Sequence, residues 1–183
     1  MDSPGGNARE RALNRLVVEV ERHVAADGWD APLRLFALVR TAGALSRDPG
    51  LARRLPPDVV AAADADTDHL TAVEQEGLPE VDTLEALLGR IAWPETVDGA
   101  AVVVERSVLP PSAEAAVPDD EAEALAWVQA HPEREDVRLA AAVLRGGDHA
   151  CALRSRRHDA DDRVAVGPDL APGLTSAIAA TLA

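Results

Sequence analysis

The chain has one cysteine, no lysine, no tyrosine and one phenylalanine. A lone Cys151 excludes an internal disulfide. It stands among alanines in the middle of an apolar run, which reads as a buried, inert thiol rather than a nucleophile. Without lysine, all 18 basic residues are arginine. We read that bias as GC-rich coding. The functional alternative is a surface that uses guanidinium forks to hold carboxylates or phosphates. The scarcity of aromatics leaves a core built on Leu, Val and Ala. No apolar run is long enough to span a bilayer, which takes about 18–20 residues. The first residues, Met1 to Asn7, have neither the basic nor the apolar part of a secretory signal. The expectation is a cytoplasmic protein with no membrane contact. The phosphate-binding, dinucleotide-binding, serine-nucleophile, zinc-protease and dithiol motifs are all missing, so no cofactor is expected and no catalytic residue can be nominated.

What is present is acid. The net charge is −14 and the isoelectric point is about 4.6. Phosphate neutralisation needs a basic face, so nucleic acid is excluded as a general partner. Anionic membrane surfaces are excluded for the same reason. Solubility accounts for the charge, and so does a basic partner protein.

The 183 residues suit one domain with a real core. The stretch from Val137 to Arg157 organises the reading. Two apolar runs flank Gly146-Gly147, the signature of a type I′ hairpin with both glycines at positive φ. Pairing Arg145 with Asp148 sets Ala142 against Cys151 and Ala140 against Leu153, and puts Arg138 and Arg154 on opposite faces. A loop one residue longer shifts the pairing by one. Further strands are expected at Leu33 to Arg40, Ala100 to Leu109 and Arg163 to Gly167. Leu13, Leu16, Val17, Val20 and Val24 mark an amphipathic first helix, with Asn7 as its cap and residues 1–6 disordered. Other helices are expected at Ala42–Arg47, from Asp82 to Ile91, from Asp119 to Ala130 with Leu125 and Val128 buried, and from about Leu174 to the end. Residues 58–80 carry many acids and few large apolar side chains, which predicts a long acidic loop with at most a helical turn at Val59 to Ala63. Paired strands without regular β-α alternation point to a single α+β domain. Its sheet is expected to be mainly antiparallel, with about four to five strands packed with helices.

Four places could carry chemistry. His158, Asp159, Asp161 and Asp162 offer oxygen and imidazole ligands to a divalent metal, though at no familiar spacing; a solvated turn is the plainer reading. Asp64, Asp66, Asp68 and His69 begin like a calcium loop but lack its glycine and its final glutamate. His23, His131 and His149 are far apart in sequence. Arg138, Arg154, Arg156 and Arg157 cluster at the open end of the hairpin, where they could hold an anion or an acidic segment, or simply pair with the chain's own acids. Trp127 could anchor a partner.

Several segments taken together resemble an uncharacterised family of actinobacterial cytoplasmic proteins. They are Leu16 to Val24, Gly28-Trp29-Asp30, Arg34 to Val39, Leu70 to Glu76, Ile91 to Pro94, Ala124 to Trp127 and Gly167 to Leu170. The resemblance implies a bacterial, cytoplasmic protein and no particular activity. Two functions remain open. The first is a non-enzymatic acidic domain that binds another protein, or a second copy of itself as a homodimer, with Trp127, Arg138, Arg154 and Arg156 as contacts. The second is an enzyme or small-ligand sensor with an arginine- and histidine-lined pocket at the hairpin.

Overall fold

A computed structural model describes residues 4–183. Its strands are β1 (Arg34–Arg40), β2 (Leu70–Glu74), β3 (Gly99–Val108), β4 (Glu135–Leu144), β5 (His149–Ser155) and β6 (Ala165–Gly167). Its helices are α1 (Pro4–Ala25), α2 (Thr41–Arg47), α3 (Pro57–Ala65), α4 (Leu84–Leu88), α5 (Pro111–Glu114), α6 (Glu121–Ala130) and α7 (Pro172–Ala180). The strands form one sheet in the order β2-β1-β3-β4-β5-β6, and every pairing is antiparallel. The α+β class and the antiparallel sheet follow the sequence reading, but the described strands number six, not four to five.

Both sheet faces are covered. Leu13, Leu16, Val17, Val20 and Val24 of α1 are all buried against the even-numbered residues of β4 and β5 and against Phe36, Leu38, Ala101 and Val103. Burying each such aliphatic side chain is worth roughly 1.5–3 kcal/mol. On the other face, Leu174, Ile178 and Leu182 of the C-terminal segment and Leu88 of α4 meet Ala100, Val102, Leu139, Ala141 and Cys151. With helices on both sides, β4 reads as a continuous buried run from Val137 to Leu144 rather than an alternation. Its alanines let both helical layers approach closely. Arg145, at the hairpin turn, donates to the carbonyls of Val97 (2.8 Å) and Leu182 (2.5 Å), tying the loop before β3 and the C-terminal segment to the sheet.

The hairpin itself corrects the expected register. Leu144 N–H donates to Asp148 O at 2.9 Å and Gly147 N–H to Leu144 O at 2.9 Å. Only Gly147 of the pair has positive φ, at 93°. This is a three-residue loop ending in a left-handed residue, not a two-residue type I′ turn. Ala141 therefore faces Cys151 and Arg138 faces Arg154. A shift of one residue carries every side chain of one strand to the other face relative to its partner.

The largest departure is residues 58–80. The segment holds β2 and, in place of a single helical turn at Val59 to Ala63, the nine-residue α3, rather than a long loop. Pro57 opens the helix at a position where its missing N–H costs nothing. Two of the acids that suggested a loop are paired with α1. Asp66 meets Arg15 at 2.6 Å and Asp68 meets Arg9 at 3.6 Å, both on α1. The low apolarity therefore reflects ion pairing at the sheet edge, and Leu70 supplies the buried contact. At the N-terminus α1 begins at Pro4, so Asn7 lies within the helix and residues 4–6 are helical; residues 1–3 lie outside the described ones. The helix α6 forms as expected, with Asp120 capping Glu123 N–H at 3.0 Å, but none of its residues is buried and Leu125 is 60% exposed. No helix among the described residues is long and apolar enough to cross a membrane.

Candidate functional site

The buried stripe of α1 contains one acid. Glu21 lies four residues after Val17 and three before Val24, so helical geometry aims it at the sheet with them. It is 0% exposed. The corrected register sets Arg138 and Arg154 side by side on that same face, at the open end of the hairpin. Arg154 grips Glu21 with two bonds, Nε to Oε1 at 2.7 Å and Nη2 to Oε2 at 2.8 Å. Arg138 reaches the same Oε1 at 3.5 Å. Buried charges persist only when paired and hydrogen-bonded, and this trio meets that condition through a second ring of partners.

That ring comes from the loop after α1, the segment after β5, and β3. Arg154 Nη2 donates to Asp161 at 2.7 Å and its Nη1 to Asp159 at 3.2 Å. Arg138 donates to Glu105 at 3.0 Å and to the Gly28 carbonyl. Its guanidinium lies 4.4 Å from the Trp29 ring centroid, a cation–π contact. Trp29 Nε1–H donates to Asp159 at 2.8 Å. Asp30 takes a left-handed backbone, φ 65°, which few non-glycine residues adopt. The turn sends its N–H to Glu105 at 2.7 Å and its carboxylate to Arg156, which binds both oxygens at 2.8 Å. Among the described residues one buried side-chain donor, Arg138 Nε, has no partner.

The electrostatics follow. The Trp29 indole N–H, with help from Arg154, holds the Asp159 carboxyl below its ordinary value of 3.8. Arg154 does the same for Asp161, and Arg156 for Asp30. Arg154 is pushed higher than a free guanidinium, chiefly by Glu21. These groups are locked in their charged forms. The arrangement ties α1 to β3, β4, β5 and the two flanking loops.

Of the residues nominated from sequence, Arg138, Arg154 and Arg156 converge here. Arg138 and Arg154 face inward onto the chain's own acids and offer no surface to an anion or a partner. Arg156 lies at the rim. Asp159 and Asp161 belong to the same network through arginine, not through a metal; no group of three metal-binding side chains forms among the described residues. His158 and Asp162 lie beside them without taking part. The calcium-like acids divide between α3 and the entry to β2, as given above. His23, His131 and His149 stay apart: at the α1–β2 side, tilted against Trp127 with ring centroids 4.7 Å apart, and at the hairpin turn. The depression at the hairpin's open end, about 390 Å3, holds Arg157 but no histidine. Arg157 donates to the Arg134 carbonyl at 2.8 Å. Glu21, Asp30 and Glu105 went unnoticed in the sequence. For Glu21 the signal was there: an acid inside an apolar stripe.

The rim opens into a cleft of about 270 Å3 between the network and α6. Trp29, Leu125 and Val128 supply its apolar walls, and Arg106, Arg134 and Arg156 alternate with acids around it. Trp127 lies half-buried on the neighbouring face of α6.

A family model described as PPA1309-like protein matches residues 13–183, and the chain belongs to that family. The match covers all the segments that carry the resemblance read from the sequence. No curated protein and no solved structure matches the chain.

Proposed function

We propose that this member of the PPA1309-like family is a protein-interaction domain whose contact surface is α6 and the cleft beneath it. One observation carries the reading. A ten-residue helix forms on the surface with no buried residue, exposing 60% of Leu125 and leaving Trp127 and Val128 half covered. A helix of that length gains little stability from its own hydrogen bonds, and helices ordinarily rest on packing of an apolar face. Here that face is open. The acids at its start, Asp119 to Glu123, and the chain's net charge of −14 favour a partner segment that is apolar at its centre and basic at its edge. Arg156 and Trp29 form a rigid wall on the far side of the cleft, because the ion-pair network holds them. Enzymatic chemistry has less support, since the charged cluster is closed on itself.

The test places a photocrosslinking side chain at position 125 of the full chain in cells, with Arg53 as an exposed control position. Capture at 125 of one protein through a basic, apolar segment supports the reading, provided Leu125→Asp abolishes binding without lowering the melting temperature. Capture of a second copy assigns the face to self-association. A monomer whose position 125 traps nothing beyond the control sinks the proposal.

A further inference from the structure

A second cleft lies on the α1 side of the sheet edge, away from α6. It encloses about 220 Å3 between α1, α3 and β2. Its floor is apolar and buried: Val20, Phe36 and Leu70 are each 5% exposed or less. Val59 and Ala72 complete the walls. Its polar groups converge from different elements, as binding pockets require.

Two of them define what can bind. Glu19 stands at the mouth, exposed, with no ion-pair or hydrogen-bond partner among the described residues. Glu74, opposite, is clasped by Arg34 through both oxygens, and Arg34 also holds Asp27 at 2.7 Å. Those three groups sum to one negative charge, so the cleft and its rim are anionic even beside Arg34. His23 sits at the edge of that cluster, its Nε2 3.4 Å from Arg34 and 3.6 Å from Glu74, with its ring edge-on to Phe36.

The third group is His69. Its Nδ1 lies 2.8 Å from Thr41 Oγ1, and Thr41 Oγ1 lies 2.7 Å from Thr71 Oγ1. Thr41 is buried, so its hydroxyl donates to one neighbour and accepts from the other. With the ring neutral, the relay has two directions. If Nδ1 carries the proton, Thr41 accepts from it and donates to Thr71, and Nε2 is left as an acceptor. If Thr41 donates to Nδ1, Nε2 carries the proton instead. Nε2 has no partner among the described residues, so a ligand can select the direction.

We propose that this cleft binds a small protonated amine with a compact apolar body, the ammonium group between Glu19 and the Glu74 side and the body against Val20, Phe36 and Leu70. An ammonium donor takes His69 Nε2 as acceptor. That fixes the proton on Nδ1 and polarises the relay toward Thr71. The site is independent of the α6 surface, so either proposal can fail alone.

Benzylamine is the probe, with benzyl alcohol and benzoate as controls that keep the ring and change the charge. Amide correlation spectra of the full chain are followed to millimolar concentration. Saturable shifts are expected at residues 19–24 and 69–74, with benzylamine bound about fivefold or more tighter than the alcohol and benzoate not saturating. His69 ring nitrogen shifts should move to the Nδ1–H pattern on binding. Glu19→Gln, an exposed change that leaves the fold intact, should bring amine and alcohol to near parity. No saturable shifts at these residues, equal binding of the three probes, or a preference that survives Glu19→Gln would overturn the proposal.

Discussion

Arg138 and Arg154 stand directly opposite each other on neighbouring strands, two like charges where a sheet ordinarily disfavours them. Glu21 resolves the conflict from α1 by binding both. One carboxylate thus fixes how the helix, β4 and β5 sit together, and the cost of losing it is asymmetric. Glu21→Ala leaves two buried guanidinium groups short of a partner and is expected to destabilise by about 3–5 kcal/mol in urea unfolding. The triple replacement Glu21→Leu, Arg138→Met, Arg154→Met is expected to recover most of that loss, because an apolar trio of similar volume removes the desolvation cost together with the pair. A triple variant as unstable as Glu21→Ala would mean that the arginines' outer contacts to Asp159, Asp161 and Glu105 carry the stability instead.

Those outer contacts set a dependence on acidity. Asp159 and Asp161 have folded-state values held below the ordinary 3.8 by Trp29 and Arg154. A depressed carboxylate contributes stability that is fully present above its unfolded value and is lost as pH falls through the folded one. The double variant Asp159→Asn, Asp161→Asn should therefore be less stable than the natural chain at pH 7. The gap should narrow as pH drops below about 4, where the natural carboxylates protonate too. Denaturant midpoints measured from pH 7 to pH 2.5 check this. A gap that stays constant with pH would assign the loss to packing rather than charge.

The two hairpin glycines are expected to behave differently although the sequence treats them alike. Gly147 has φ 93°, and Gly147→Ala should cost about 1–2 kcal/mol. Gly146 has no positive φ, and a Cβ there would meet nothing closer than Asp148 Oδ2 at 3.6 Å. Gly146→Ala should stay within about 0.5 kcal/mol of the natural chain. Equal losses at both positions, in the same unfolding measurement, would restore the two-residue turn.

That turn shows what the sequence could and could not disclose. The amphipathic stripe of α1 was legible because five large aliphatics recur at helical spacing, and all five are buried. The long strands β1, β3, β4 and β5 were legible from apolar runs and turn residues. The register was not, since a Gly-Gly pair is compatible with loops of two or three residues and the adjacent alanines fit either face. That single ambiguity hid the site: with Arg138 and Arg154 assigned to opposite faces, no shared partner could be sought. β2 was missed for another reason. Its acidic surroundings resemble a solvated loop until α1 supplies the arginines, and that pairing spans some fifty residues of sequence, such as Arg15 with Asp66.

Cys151 separates the inert reading of the lone thiol from a reactive one. It is 0% exposed and faces Ala141 on the helix α7 side of the sheet. Burial pushes its thiol above the ordinary value, the opposite of what a nucleophile needs. It lies on β5, between β4 and the short edge strand β6, where it pairs with Gly167. Modification by a disulfide reagent should then proceed only through opening of the fold. In native buffer the rate should be slower than for an exposed thiol by orders of magnitude. It should rise with urea in step with the unfolded fraction when refolding is fast relative to the chemistry. Leu125→Asp, on the far surface of α6, should leave that rate unchanged, whereas Glu21→Ala should raise it by the factor its stability loss implies, roughly tenfold for each 1.4 kcal/mol. Fast modification in native buffer, insensitive to Glu21→Ala, would show that the thiol is reached by a local path and would reopen it as a reactive group.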